Sequence, residues 1–261
     1  MEVVILPTAA DVAAHAADLV AAQVVRKPKT VLGVATGSSP VGIYRELARR
    51  QQEGAPDLGA IRCFALDEYV GLPPGHPGSY ATFLEQEITR PFRLPRSRVR
   101  LPDGRAADLE QACEDYERAI AEAGGVDLQI LGIGTNGHIG FNEPVSSLSS
   151  RTRVKALSAQ TRTDNARFFA DDDEVPTHCV TQGLGTILEA RHVVLVAQGE
   201  RKTPAVAAAV EGPVSSMCPA SVLQFHRRAT VVLDEPAAGG LALGDYYRFV
   251  QRAKDRFQGR D

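Results

Sequence analysis

An imidazole set among glycines is the most chemically suggestive feature of the chain. The run Gly132-Ile133-Gly134-Thr135-Asn136-Gly137-His138-Ile139-Gly140-Phe141-Asn142-Glu143 puts four glycines around His138 and a carboxylate five residues beyond it. Glycine lets the backbone pass close to a ligand, so a histidine on such a loop is placed to exchange protons with it. Glu143 is placed to orient a ring nitrogen and fix the tautomer. The plainer alternative is a histidine that merely satisfies buried polar groups. A second cluster, Asp67-Glu68, directly follows the apolar run Phe64-Ala65-Leu66. Carboxylates in that position are costly unless solvated or paired. Either one is a partly buried general base, or one caps a helix and the other is a surface charge. The third cluster, Thr36-Gly37-Ser38-Ser39, combines small residues with hydroxyls just before a helical pattern. That suits an anion at a helix N-terminus, or simply a tight turn with a serine cap. It lacks the lysine and spacing of a P-loop.

The elements that must position these clusters alternate. Short apolar runs at Thr30–Ala35, Ile61–Leu66, Val126–Ile133, His192–Val196 and Thr230–Leu233 read as buried strands. Between them lie helical patterns, including a first helix capped by Thr8 and others at Val41–Gln51, Asp108–Ala123 and Glu200–Val210. Strands separated by helices predict an α/β fold with a mostly parallel central sheet covered by helices on both faces. In such sheets ligands bind beyond the carboxyl ends of strands, where all three clusters fall. Asn142 to Glu189 is poor in strand signals and is expected to form a helical lid. With no linker or internal repeat, residues 1–261 read as a single domain.

Composition narrows the classes of function. With 261 residues, 44% of them apolar and 23% charged, the chain is of ordinary globular type. A net charge of −3 without a basic stripe excludes a nucleic-acid binder, while a phosphorylated small molecule needs only a local cradle. Cys63, Cys113, Cys179 and Cys218 form no CxxC pair, so neither a zinc site nor a disulfide framework is expected. The Ala-rich stretch Thr8–Val25 is interrupted by Asp11, His15 and Asp18, so no membrane span is expected. No signal peptide is apparent, and a cytoplasmic location is expected.

Together, LDEYVGL (66–72) and GIGTNGHIGFNEP (132–144) resemble the glucosamine-6-phosphate deaminase family, within the larger group of sugar-phosphate isomerases and 6-phosphogluconolactonases. Further matching stretches, from Leu32–Pro40 to Leu223–Pro236, extend over nearly the whole chain in the expected order. The resemblance implies a Rossmann-like sheet and deamination of glucosamine 6-phosphate to fructose 6-phosphate, without metal or cofactor. Asp67 matches the family's proton-abstracting base, His138 its ring-opening acid/base and Glu143 the carboxylate partner. Asn136 stands where the family often has Asp, so a fully charged relay is not expected. Arg167 and Lys202 match phosphate-binding cations, and Thr36, Gly37, Ser38 and Ser39 match the phosphate cradle. Without the resemblance, both cations read as solvated surface residues.

Some members of that family are hexamers activated by N-acetylglucosamine 6-phosphate between subunits. Ser146, Arg153 and Lys155 match polar residues of that effector site, whereas Tyr246-Tyr247-Arg248 matches its C-terminal part only in uncertain register. Reduced allosteric control is therefore expected, and homo-oligomeric assembly is left open. Two rivals are a 6-phosphogluconolactonase-type hydrolase, which needs no base at C2, and a non-catalytic sugar-phosphate sensor. A zinc nucleobase deaminase is disfavoured, because His138-Ile139-Gly140 is not His-x-Glu and no Pro-Cys-x-x-Cys follows.

Overall fold

The fold is that of a computed structural model describing residues 1–169 and 175–257. The strands are β1 (Glu2–Leu6), β2 (Val31–Val34), β3 (Arg62–Ala65), β4 (Asp67–Tyr69), β5 (Val99–Arg100), β6 (Leu128–Leu131), β7 (Arg153–Ala156), β8 (His178–Thr181), β9 (Val193–Ala197) and β10 (Ala229–Asp234). The α-helices are α1 (Ala9–Arg26), α2 (Ser38–Gln52), α3 (Tyr80–Leu84), α4 (Leu109–Glu122), α5 (Ala159–Asn165), α6 (Leu184–Leu188), α7 (Thr203–Val210), α8 (Glu235–Ala238) and α9 (Gly244–Phe257).

Among the described residues, the main sheet has seven strands in the order β1-β10-β9-β6-β2-β3-β5. Every pairing in it is parallel. Its central strands are buried along their whole length, which is why they read as unbroken apolar runs rather than alternating ones. The chain builds outward from β2 through β3 to β5, then returns and builds outward from β6 through β9 to β10. The order therefore reverses between β2 and β6, and a crevice opens there beyond the strands' carboxyl ends.

Helix α1 starts where the sequence predicts. The Thr8 hydroxyl accepts from the Asp11 N–H and the Asp11 carboxylate accepts from the Thr8 N–H, a reciprocal cap. Val12, Ala16, Val20 and Val24, spaced four apart, are buried against the sheet. The expected helical lid differs from what is found. Besides α5 and α6, Asn142–Glu189 contains β7 and β8, which join β4 in a small antiparallel sheet, order β4-β8-β7. Its residues 170–174 lie outside the described ones. In β7 the half-buried Arg153 and Lys155 alternate with exposed Val154 and Ala156, so the strand gives no apolar run. The second sheet carries chemistry: Asp67 opens β4 and pairs with Thr181 of β8.

Candidate functional site

The loops after β2 and β6 face one another across the crevice. With the ends of β3 and β9 and one side of α5, they line a cavity of about 670 Å³. On the β2 side, α2 begins at Gly37, whose φ is 83° and which supplies no side-chain cap. The anticipated serine cap is therefore absent, and the first N–H groups of a fifteen-residue helix are left for the cavity. Thr36, Ser38 and Ser39 line it beside them.

Arg167 reaches this end from the single turn of 3₁₀ helix after α5, donating to the Ser38 hydroxyl at 3.4 Å. Lys202 comes from the loop after β9 and donates to the Ile133 carbonyl at 2.7 Å. Burial lowers the Lys202 pKa, with Arg167 and Arg201 adding to the effect and Asp164 opposing it. Arg167 thus reaches the uncapped terminus, and Lys202 lines the same cavity from the loop after β9.

Asp67 and His138 line the same cavity. Asp67 is only 4% exposed. Its carboxyl titrates well above the usual range, first because it is desolvated and then because Glu68 is beside it, while the Phe141 N–H works the other way. The two adjacent acids divide the readings anticipated for them. Glu68 turns away from the cavity and accepts from the N–H groups of Tyr69, Tyr80 and Ala81 at 2.8–3.0 Å, fastening the start of α3. Asp67 alone faces the cavity.

His138 is held by a loop that only glycine permits. A Cβ on Gly134 would overlap the imidazole, and Gly140, at φ 54°, lies where a Cβ would come within 3.5 Å of the Asp67 carboxylate. Behind the ring, and off the cavity wall, Glu143 presents Oε2 to His138 Nδ1 at 3.7 Å. That separation is an ion-pair distance rather than a hydrogen bond, and Nδ1 has no hydrogen-bond partner. Asn136 donates to the same Oε2 at 2.7 Å, while its Oδ1 accepts from the His138 N–H at 3.2 Å. The Asn thus bridges carboxylate and loop as a neutral donor. Burial pushes the Glu143 pKa up, but the adjacent His138, Thr161 and Asn136 outweigh it and hold the group at about 2.

Several cavity residues were not singled out by the sequence reading: Tyr80, Thr135, Thr161, Asp164, Asn165 and Gln198. Tyr80 stacks on Phe141 at 5.7 Å, and its hydroxyl lies 3.5 Å from that of Tyr69. Thr135 donates to Asp164 at 3.0 Å, tying the glycine loop to α5. The serine directly before Tyr80, Ser79, which caps α3 by accepting from the Thr82 N–H, is a local signal that could have drawn attention to it. The candidate effector residues lie away from the cavity. The Ser146 hydroxyl is buried without a hydrogen-bond partner, as is one Arg153 nitrogen, Nη2. Arg153 Nη1 donates to Asn142 Oδ1 at 2.8 Å. Among the described residues, no three His, Cys, Asp or Glu side chains are grouped to hold a metal, and no helix is long and apolar enough to cross a membrane.

Fold and site together define an α/β enzyme with a polar cleft at the sheet's reversal point. The chain belongs to the family of glucosamine-6-phosphate isomerases and 6-phosphogluconolactonases, whose model matches residues 7–232. It is 56% identical over 259 residues to a glucosamine-6-phosphate deaminase of Arthrobacter sp. strain FB24, covering 99% of this chain and all of the relative. A Streptomyces avermitilis protein of the same name is 56% identical over 260 residues, with 99% and 100% coverage. A solved structure described as a monomeric glucosamine-6-phosphate deaminase superposes with a TM-score of 0.89 at 41% identity, covering 92% of this chain and 100% of that one. The 6-phosphogluconolactonase of Leishmania guyanensis shares the fold, with a TM-score of 0.74 at 22% identity over 92% and 98% of the two chains.

Proposed function

We infer that this protein converts glucosamine 6-phosphate and water into fructose 6-phosphate and ammonia. The observation that carries the reading is a single cavity lined by Asp67 and His138 together with the uncapped α2 terminus, Arg167 and Lys202. The phosphate of a hexose 6-phosphate matches the terminus and the cations, which leaves C1 and C2 toward the acid/base pair. Identity of 56% to named deaminases supports the same substrate.

In this reading His138 moves a proton between the ring oxygen and the C1 hydroxyl, opening the pyranose to an aldehyde, while Glu143 and Asn136 hold the ring in place. The aldehyde acidifies the C2 hydrogen, which Asp67 removes to give an enolamine. Returning that proton to C1 leaves an iminium at C2. Water adds there, ammonia leaves and the ketose remains. A base with a raised pKa suits the step, since a stronger base abstracts a carbon-bound proton more readily. Phosphate contacts at the far end supply positioning. A phosphorylated amino sugar is too polar to cross a membrane unaided, and we place the reaction in the cytoplasm, in amino-sugar breakdown.

The decisive assay sets ammonia release from glucosamine 6-phosphate beside hydrolysis of 6-phosphogluconolactone. Ammonia with little lactone hydrolysis is expected; the opposite ratio overturns the reading.

A further inference from the structure

Glu143 is held from both sides. Oε2 faces His138 and Asn136, whereas Oε1 accepts from the Ser158 N–H at 3.2 Å and the Ser158 hydroxyl at 3.1 Å. Ser158 is also the N-cap of α5, its hydroxyl accepting from the Thr161 N–H at 3.1 Å. Three residues into the same helix, Thr161 is itself 2% exposed, and its hydroxyl lies 3.1 Å from that of Ser158. The carboxylate behind the imidazole is therefore also the post on which α5 hangs. That helix leads directly into Arg167 at the phosphate end, with Asp164 latched to Thr135 on the way.

We propose that Ser158 is a positioning residue that sets the Glu143 carboxylate behind His138 and thereby couples the phosphate-binding helix to the ring-opening step. The inference rests on the deaminase reading above. It requires two duties of one hydroxyl, accepting from the helix and donating to the carboxylate, and these duties can be separated chemically. Aspartate caps a helix as well as serine does, but at position 158 it sets a second carboxylate against Glu143 and removes the hydroxyl donor. Threonine keeps both duties.

The test compares Ser158→Asp, Ser158→Ala and Ser158→Thr in the full chain, on glucosamine 6-phosphate and on its 4,5-dideoxy analogue, which can close neither a pyranose nor a furanose. With Ser158→Asp, turnover of the normal substrate should fall at least about tenfold while the analogue stays within about twofold of the parent protein. Ser158→Ala should show the same selective loss, and Ser158→Thr should restore turnover. Ser158→Asp behaving like the parent, or losses equal on both substrates, shows that the residue only caps α5 and overturns the proposal. A circular-dichroism melt of each variant identifies any that is unfolded; Ser158→Asp, with the cap retained, then decides the matter. Absence of ammonia release by the parent protein is a different failure, that of the deaminase reading itself.

Discussion

At the scale of single residues, the buried carboxylate of Asp67 sets stability against reactivity. Its folded-state pKa is raised by desolvation and by Glu68, so the folded protein holds a proton that the unfolded chain has released. Between the ordinary carboxylate range and that raised value, stability therefore falls as pH rises. Asp67→Asn removes this penalty: it should melt higher than the parent at pH 8, with a smaller gain at pH 4. Turnover should drop about 10²-fold or more, and exchange of the C2 hydrogen with deuterated water should fall in parallel. Retained exchange would remove Asp67 from the role of base. Lys202 presents the opposite case, a cation whose pKa is lowered by burial. Its charge is complete below that lowered value and is lost as pH climbs through it, so KM should rise on the alkaline side earlier than an exposed lysine would dictate. Lys202→Met should raise KM about 10- to 100-fold at pH 7 with kcat changed less, the pattern of lost binding shared by ground and transition states.

At the scale of elements, the glycine loop after β6 and the start of α5 form one assembly, tied by Thr135–Asp164 and by Glu143–Ser158. Gly134→Ala inserts a methyl group into the space of the imidazole. Activity should fall by at least tenfold while the melting temperature changes little, because the loop rather than the sheet must give way; unchanged kcat/KM would show that the ring has room to move. This assembly also marks how far the sequence was readable. Central strands β2, β3, β6, β9 and β10 are buried over nearly their whole length and announced themselves as apolar runs. Asp67 stood out because a carboxylate directly after such a run needs a reason, and His138 because four glycines surround it. Strand β5, at two residues, is too short for any periodicity, and β7 alternates cations with exposed residues. Ser158 could be read as a helix cap, but no local pattern says that its hydroxyl meets a carboxylate fifteen residues upstream. Such partners are fixed by the tertiary path alone.

At the scale of the whole molecule, regulation turns on whether a distant contact distinguishes two states. Arg153 is engaged with Asn142, and the Ser146 hydroxyl is buried, while an effector acts only if it binds two states with different affinity. We expect near-hyperbolic saturation by glucosamine 6-phosphate and at most a few-fold activation by N-acetylglucosamine 6-phosphate. A sigmoidal curve that the effector makes hyperbolic would contradict this. The long reach of the sheet has a consequence of its own during synthesis. Among the described residues, strand β1 sits at the sheet edge and pairs only with β10, Glu2 opposite Thr230 and Leu6 opposite Asp234. Helix α9 closes over it, with the Gln251 side chain accepting from the Ile5 N–H at 3.2 Å and Lys254 bonding Glu2 at 2.6 Å. On a ribosome adding about 5–20 residues per second, the apolar Val3-Val4-Ile5 segment emerges roughly 10–45 s before its partner strand exists. Through that interval helix α1 can settle against α2, but the strand ahead of it stays an open edge, and a nascent chain stalled before residue 229 presents that edge to every neighbour on the polysome.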